Sequence, residues 1–128
     1  NSFTDDVSRS VIEARVTWHR ERYEAAQDTC RVREVRCLFF LQPMVFNRSP
    51  PFTWERWIIT NHELLHPGRA RAYNLVIDGI VALDLADVFD IRDVFDGLKR
   101  PVYGDLIHHN KYGNRAIARS IHGIAFGQ

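Results

Sequence analysis

The chain has 128 residues, 45% of them hydrophobic and 26% charged, with a net charge of +1. That is enough for one domain with a real core and too little for two. The composition excludes a disordered chain, a collagen-like repeat and a disulfide-dense miniprotein. No apolar run approaches the roughly eighteen residues of a membrane span, and no charged-then-apolar leader is present. Residue 1 is Asn and the single methionine is Met44. The sequence therefore reads as a processed or truncated piece.

The basic residues are 15 Arg and only 2 Lys, against 16 acids. Seven arginines fall between Arg9 and Arg36, interleaved with seven acids from Asp5 to Glu34. A nucleic-acid footprint needs an unbalanced basic patch, so this segment reads as a solvated, ion-paired helix face and no nucleic-acid partner is expected. Cys30 and Cys37 lie seven residues apart without a Cys-x-x-Cys or flanking histidine pair. That argues against a zinc site. A disulfide in a secreted or cell-envelope setting and a buried thiol at Cys37 both fit the pair.

In chain order, residues 5–27 read as an amphipathic helix capped by Asp5 or Asp6, with Val7, Val11, Ala14, Trp18 and Ala25 on its apolar stripe. Residues 35–41 (VRCLFFL) are nearly continuously apolar, which predicts a strand buried on both faces, as in a parallel sheet. A helix followed by such a strand is half of a βαβ unit, so an earlier strand is expected ahead of residue 1. Residues 42–52 form a proline-marked loop at the carboxyl end of that strand, where open α/β sheets place their ligands.

Thr53 can cap a helix carrying Trp54, Trp57, Ile58 and Leu65, with Glu55 in its first turn and Pro67-Gly68 as its stop. A further helix is predicted over 69–80, with Ala72, Leu75, Val76 and Ile80 at helical spacing, then a short buried strand over 81–85. The last helix starts near Asn110 and places Ile117, Ile121 and Ile124 on one stripe. Aspartate recurs at every third position from Asp84 to Asp96. The glycine pattern of a calcium loop is absent, so these acids read as turn formers around two Val-Phe pairs.

The chemistry-bearing stretch is Pro101-Val-Tyr-Gly-Asp105-Leu-Ile-His108-His109-Asn110-Lys-Tyr-Gly113, just ahead of that helix. A carboxylate three residues before an imidazole can fix one ring nitrogen and stabilise the imidazolium, which frees the other nitrogen to take a proton from a nucleophile. The stretch resembles the final conserved block of the SGNH (GDSL-type) hydrolases, in which Asp-x-x-His is followed by Asn, Gly and an alanine-bearing helix. Asp90-Ile-Arg-Asp-Val-Phe-Asp96 and Val102-Tyr103 resemble the approach to that block, and Leu41-Gln42-Pro43 resembles a mid-domain strand end; the resemblance covers about residues 82–122 and, less specifically, 35–43.

The resemblance implies an α/β fold, a three-layer α/β/α sandwich with a parallel sheet (flavodoxin-like) whose first strands are missing here. Residues 1–128 would then be the C-terminal portion of a single domain. It implies hydrolysis of carboxylic esters, acetyl groups on carbohydrate included, through an acyl-enzyme, with no cofactor. Asp105 would be the triad acid and His108 the general base, with His109 the rival. Asn110 and Gly113 would shape the loop and start the helix. The family's Gly-Asp-Ser nucleophile is absent: Ser2, Ser8, Ser10, Ser49 and Ser120 all lack that context. The serine is therefore expected on an N-terminal segment of the same domain, in the same polypeptide or as a separate chain. Asn1 fits the remnant of a Gly-x-Asn oxyanion block.

Two other readings compete. His62-Glu63-Leu-Leu-His66 matches the zincin His-Glu-x-x-His, in which two imidazoles bind zinc and the glutamate activates water. Here Pro67-Gly68 follows at once, and no third ligand stands at the expected spacing. The other reading is a binding module that kept the fold without chemistry. Phe46, Phe52, Trp54 and Trp57 around the proline loop suit an acyl or sugar pocket, although core or lid packing is the commoner role of such residues.

Overall fold

A computed structural model describes residues 5–127. The protein is mixed α/β, with four helices and a two-stranded parallel sheet among the described residues. The elements are α1 (Asp5–Val32), β1 (Phe39–Leu41), α2 (Thr53–Leu65), α3 (Arg69–Ala82), β2 (Val88–Asp90) and α4 (Lys111–Phe126). β1 and β2 run parallel because the two helices between them provide the long crossover that parallel pairing needs. The chain divides into two compact units. The first comprises residues up to Phe39 together with Ala70–Phe89; the second comprises Phe40–Arg69 together with residues from Asp90 onward.

In the first unit, α1 runs five residues beyond the expected end at Gln27 and closes after Val32, where Glu34 takes a left-handed conformation (φ 56°). The Val35 amide then donates to the Cys30 carbonyl at 2.9 Å, and Cys30 and Cys37 are joined by a disulfide. This closed turn holds residues 33–38 out of the sheet. The expected strand over 35–41 shrinks to three residues, with Val35 exposed and only Leu41 buried. Val11 and Trp18, expected on a buried stripe of α1, are exposed. Arg15 and Arg22 instead lie over the Trp18 ring, and α1 meets α3 through Val16, against which a Cβ on Gly79 would stand at 2.5 Å. Ile77 and Ile80 of α3 are buried, while Leu75 is exposed.

The strand expected over 81–85 is instead the end of α3 and a turn. Asp84 and Asp87 both adopt positive φ, 50° and 59°, and push the strand on to Val88. Asparagine and aspartate accept that conformation more readily than most residues. Replacing Cys30 and Cys37 by serine should lower the stability of this unit by about 2 kcal/mol, the loop-closure value for so short a ring. Urea denaturation of the oxidised protein and the double variant measures it.

The second unit has its core in Val45, Ile58, Phe95, Val102 and Tyr103, flanked by Phe46, Ile59, Val94, Leu98, Leu106, Ala116 and Ile117. Contrary to the expected Thr53 cap, Phe52 is the N-cap of α2, and its amide donates to Glu55 Oε1 at 3.0 Å. The buried face of α2 is Glu55, Ile58 and His62. Trp54 and Trp57 stack on each other at 5.0 Å and stand 50% and 57% exposed, so they do not pack into this unit's core. Asn110 caps α4 as expected, its Oδ1 accepting the Tyr112 and Gly113 amides at 3.0 and 3.1 Å. Gly127 ends α4 in the left-handed region.

The repeated aspartates act as turn residues. Asp90 accepts from the Arg92 amide and binds its guanidinium at 2.8 Å, and the Asp96 amide bonds the Asp93 carbonyl. No helix among the described residues is long and apolar enough to cross a membrane.

Candidate acid–base site

The site lies wholly in the second unit, on the five-residue excursion between Tyr103 and His109. Those two residues form an isolated antiparallel bridge. The Gly104 amide donates to the His108 carbonyl at 2.9 Å, and the Asn110 amide donates to the Val102 carbonyl at 2.8 Å. Asn110 Nδ2 also donates to the Pro101 carbonyl at 2.8 Å, so one side chain caps α4 and fixes the entering strand. Residues 104–108 are thus a small loop with a closed neck.

Within the loop, Asp105 folds back on the residues that follow it. Its Oδ1 accepts from the amides of Ile107 and His108 at 2.9 and 2.8 Å. This is the local turn that aspartate favours. Its Oδ2 meets His108 Nδ1 at 2.6 Å. The two backbone amides, then the imidazole, hold the Asp105 carboxyl down at about 2. With Nδ1–H donated to the carboxylate, Nε2 is the ring's basic nitrogen. The His108 side chain is 77% exposed, and Nε2 has no hydrogen-bond partner among the described residues. The pair can therefore accept a proton at Nε2 and hold the resulting imidazolium against a carboxylate.

The folded pKa of Asp105 lies below its ordinary 3.8. Its contribution to loop order is fully present above that value and is lost as pH falls toward about 2. Amide exchange or carboxyl NMR of the loop should show residues 105–108 holding their structure down to pH 4 and loosening below pH 3. An ordinary Asp105 midpoint near 4 would contradict this.

His109, the rival base, is occupied elsewhere. Its ring packs edge-on to Phe95 and Tyr103 at 5.1 and 5.0 Å. Burial pushes its pKa below 6.5, partly offset by a hydrogen bond to the Pro43 backbone. Its Nε2 is buried without a hydrogen-bond partner among the described residues. A group so placed is a packing residue that stays neutral at neutral pH.

Gly113 is what lets α4 close on this cluster. A Cβ there would stand 2.9 Å from the His109 Cβ, 3.3 Å from the Val102 Cβ and 3.4 Å from Phe95 Cζ. The nearest of these atoms is fixed to the backbone and cannot swing aside. Gly113→Ala should therefore destabilise by about 1–2 kcal/mol, despite alanine's better helix propensity. A melting temperature equal to or above wild type would contradict that packing.

Sequence reasoning missed the support beneath the loop. Glu55 is fully buried: Oε1 accepts the Phe52 amide at 3.0 Å, and Oε2 accepts the Val102 and Tyr103 amides at 3.1 and 3.3 Å. Arg48, also buried, places Nε 3.5 Å from Glu55 Oε1, an ion pair rather than a hydrogen bond. Its Nη1 donates to the Phe95 carbonyl, and its Nη2 donates to the Leu98 and Arg100 carbonyls. An arginine and a glutamate seven positions apart carry no local signal of this. The one local hint is Glu55 itself, an acid in the first turn of α2.

Among the other expected site residues, Asn1 lies outside the described residues. Ser49 sits in the proline loop and Ser120 on α4; neither bonds His108. His62 and His66 bring their rings to 5.3 Å, but Glu63 accepts the Gly68 amide at 3.0 Å and so ties off the end of α2. Among the described residues, no group of three or more His, Cys, Asp and Glu is arranged to hold a metal ion. No known family model, curated protein or solved structure matches this chain.

Proposed function

We propose that this chain supplies the acid–base pair of a serine esterase of the SGNH type, the nucleophilic serine lying outside these 128 residues. The carrying observation is the Asp105 Oδ2–His108 Nδ1 contact at 2.6 Å, with the other ring nitrogen facing solvent. The parallel pairing of β1 and β2 supports the finer fold reading, a three-layer α/β/α sandwich completed by further strands.

In this reading, the serine hydroxyl attacks the ester carbonyl while His108 Nε2 takes its proton, and Asp105 stabilises the imidazolium. Collapse of the tetrahedral intermediate breaks the ester C–O bond, and His108 returns the proton to the leaving alcohol. Water, deprotonated by the same nitrogen, then releases the carboxylic acid and the serine. Asn1 is the proposed oxyanion donor. The substrate class is a carboxylic ester of a small molecule or carbohydrate. p-Nitrophenyl acetate hydrolysis by the full-length protein, with fluorophosphonate labelling of its serine, tests the proposal. Hydrolysis that is abolished by chelator and untouched by fluorophosphonate would assign the chemistry to a metal. No hydrolysis would leave a binding module.

A further inference from the structure

Glu55 and Arg48 have no place in that chemistry, yet they are among the most thoroughly buried charges in the second unit. Burying an ion pair rarely stabilises a fold more than apolar residues of the same volume do, so its retention calls for another explanation. Their contacts supply one. Besides each other, the Phe52 amide and the Phe52 ring beneath the Arg48 guanidinium, their side-chain hydrogen-bond partners among the described residues lie on one stretch, 95–103: the carbonyls of Phe95, Leu98 and Arg100, and the amides of Val102 and Tyr103. That stretch leads into the neck of the Asp105–His108 loop, where Tyr103 bridges to His109 and the Val102 carbonyl takes the Asn110 amide. Asp105 and His108 are solvent-exposed; the Asp105 carboxylate orders the loop from within through the Ile107 and His108 amides, whereas the chain entering its neck is tied to buried Glu55 through the Val102 and Tyr103 amides.

We infer that the buried Arg48–Glu55 pair is a positioning device for the Asp105–His108 pair, holding the base of its loop through the Val102 and Tyr103 amides so that carboxylate and imidazole stay in register. This deepens the esterase reading and rests on it for its catalytic meaning, whereas the geometric claim stands by itself. A carboxylate suits the place because all of its neighbours are donors. Glutamine brings an amide NH2 against N–H groups and one oxygen where two are used. Arg48 in turn satisfies three carbonyls that have no strand to pair with.

The test compares the full-length wild type with Glu55→Gln and with the double variant Arg48→Met/Glu55→Leu, which removes both charges at similar volume. Two readouts are taken: the Asp105 carboxyl titration by NMR, and the kcat and KM for p-nitrophenyl acetate. In a folded variant the Asp105 midpoint should rise by at least one pH unit from about 2. The kcat should fall at least tenfold with KM within threefold. An unchanged Asp105 midpoint in either folded variant overturns the positioning role. If Glu55→Gln does not fold, the double variant decides alone; a double variant that folds with an unmoved Asp105 overturns the proposal. A midpoint that moves in a protein whose wild type hydrolyses no ester upholds the positioning device and defeats the esterase reading instead.

Discussion

Replacing His108 by alanine in the full-length protein is expected to lower kcat/KM for p-nitrophenyl acetate by about a thousandfold or more, with the fold intact. The size follows from the proposed role: a general base that also protonates the leaving group contributes roughly 10²–10⁴. The fold survives because the side chain is 77% exposed and, among the described residues, its ring hydrogen-bonds Asp105 alone. Asp105→Asn should lose a comparable factor for a different reason. An amide presents an NH2 to Nδ1 as readily as an oxygen, so the ring can settle in the wrong tautomer. It would also keep one acceptor for the Ile107 and His108 amides, so the loop remains ordered while the chemistry fails. His109→Gln serves as the contrast. That ring is packed between Phe95 and Tyr103, so its replacement should lower stability first and turnover only through it. Equal activity of wild type and His108→Ala would remove His108 from the mechanism.

Glu55→Ala is expected to be the most destabilising single truncation in the second unit, by about 3–5 kcal/mol, which is the usual consequence of stranding one member of a buried ion pair. The substitution leaves the Arg48 guanidinium buried with its anion gone, and leaves the Phe52, Val102 and Tyr103 amides without their acceptor. Each lost buried hydrogen bond adds its own desolvation cost. Urea denaturation of wild type and variant measures the sum. A loss under 1 kcal/mol would mean that water or a neighbouring group accepts from the Phe52, Val102 and Tyr103 amides in the carboxylate's place.

The two expectations differ in how far they were legible in the sequence. Asp105 and His108 are three residues apart, and the Asx-type turn that joins them is a local event, so their contact can be read from the spacing. The Asn110 cap was readable for the same reason. Arg48 and Glu55 act across 47 or more positions of chain, where no periodicity reports the pairing.

The same limit explains the misplaced faces. The aromatic character of Trp54 and Trp57 suits a pocket or core or lid packing, but the two rings stack on each other and stand exposed. The buried side of α2 instead carries Glu55 and His62 beside Ile58, because a charged group was satisfied there. The apolar run 81–85 resembles a strand, but Asp84 and Asp87 in left-handed conformations turn the chain before it can extend, and the strand begins seven residues later at Val88. The first strand is shorter than its apolar run because a disulfide, undecidable from spacing, ties Cys37 back to Cys30 on α1 and keeps residues 33–38 out of the sheet.

The pre-steady-state burst of p-nitrophenol tests the central claim most directly, because it counts acyl-enzyme formed per chain before turnover begins. With Asp105 and His108 as the acid–base pair, the full-length wild type should release close to one equivalent in the burst, and His108→Ala should release none on the same timescale. A burst of equal size in both proteins, or hydrolysis with no burst that chelator abolishes, would contradict the account.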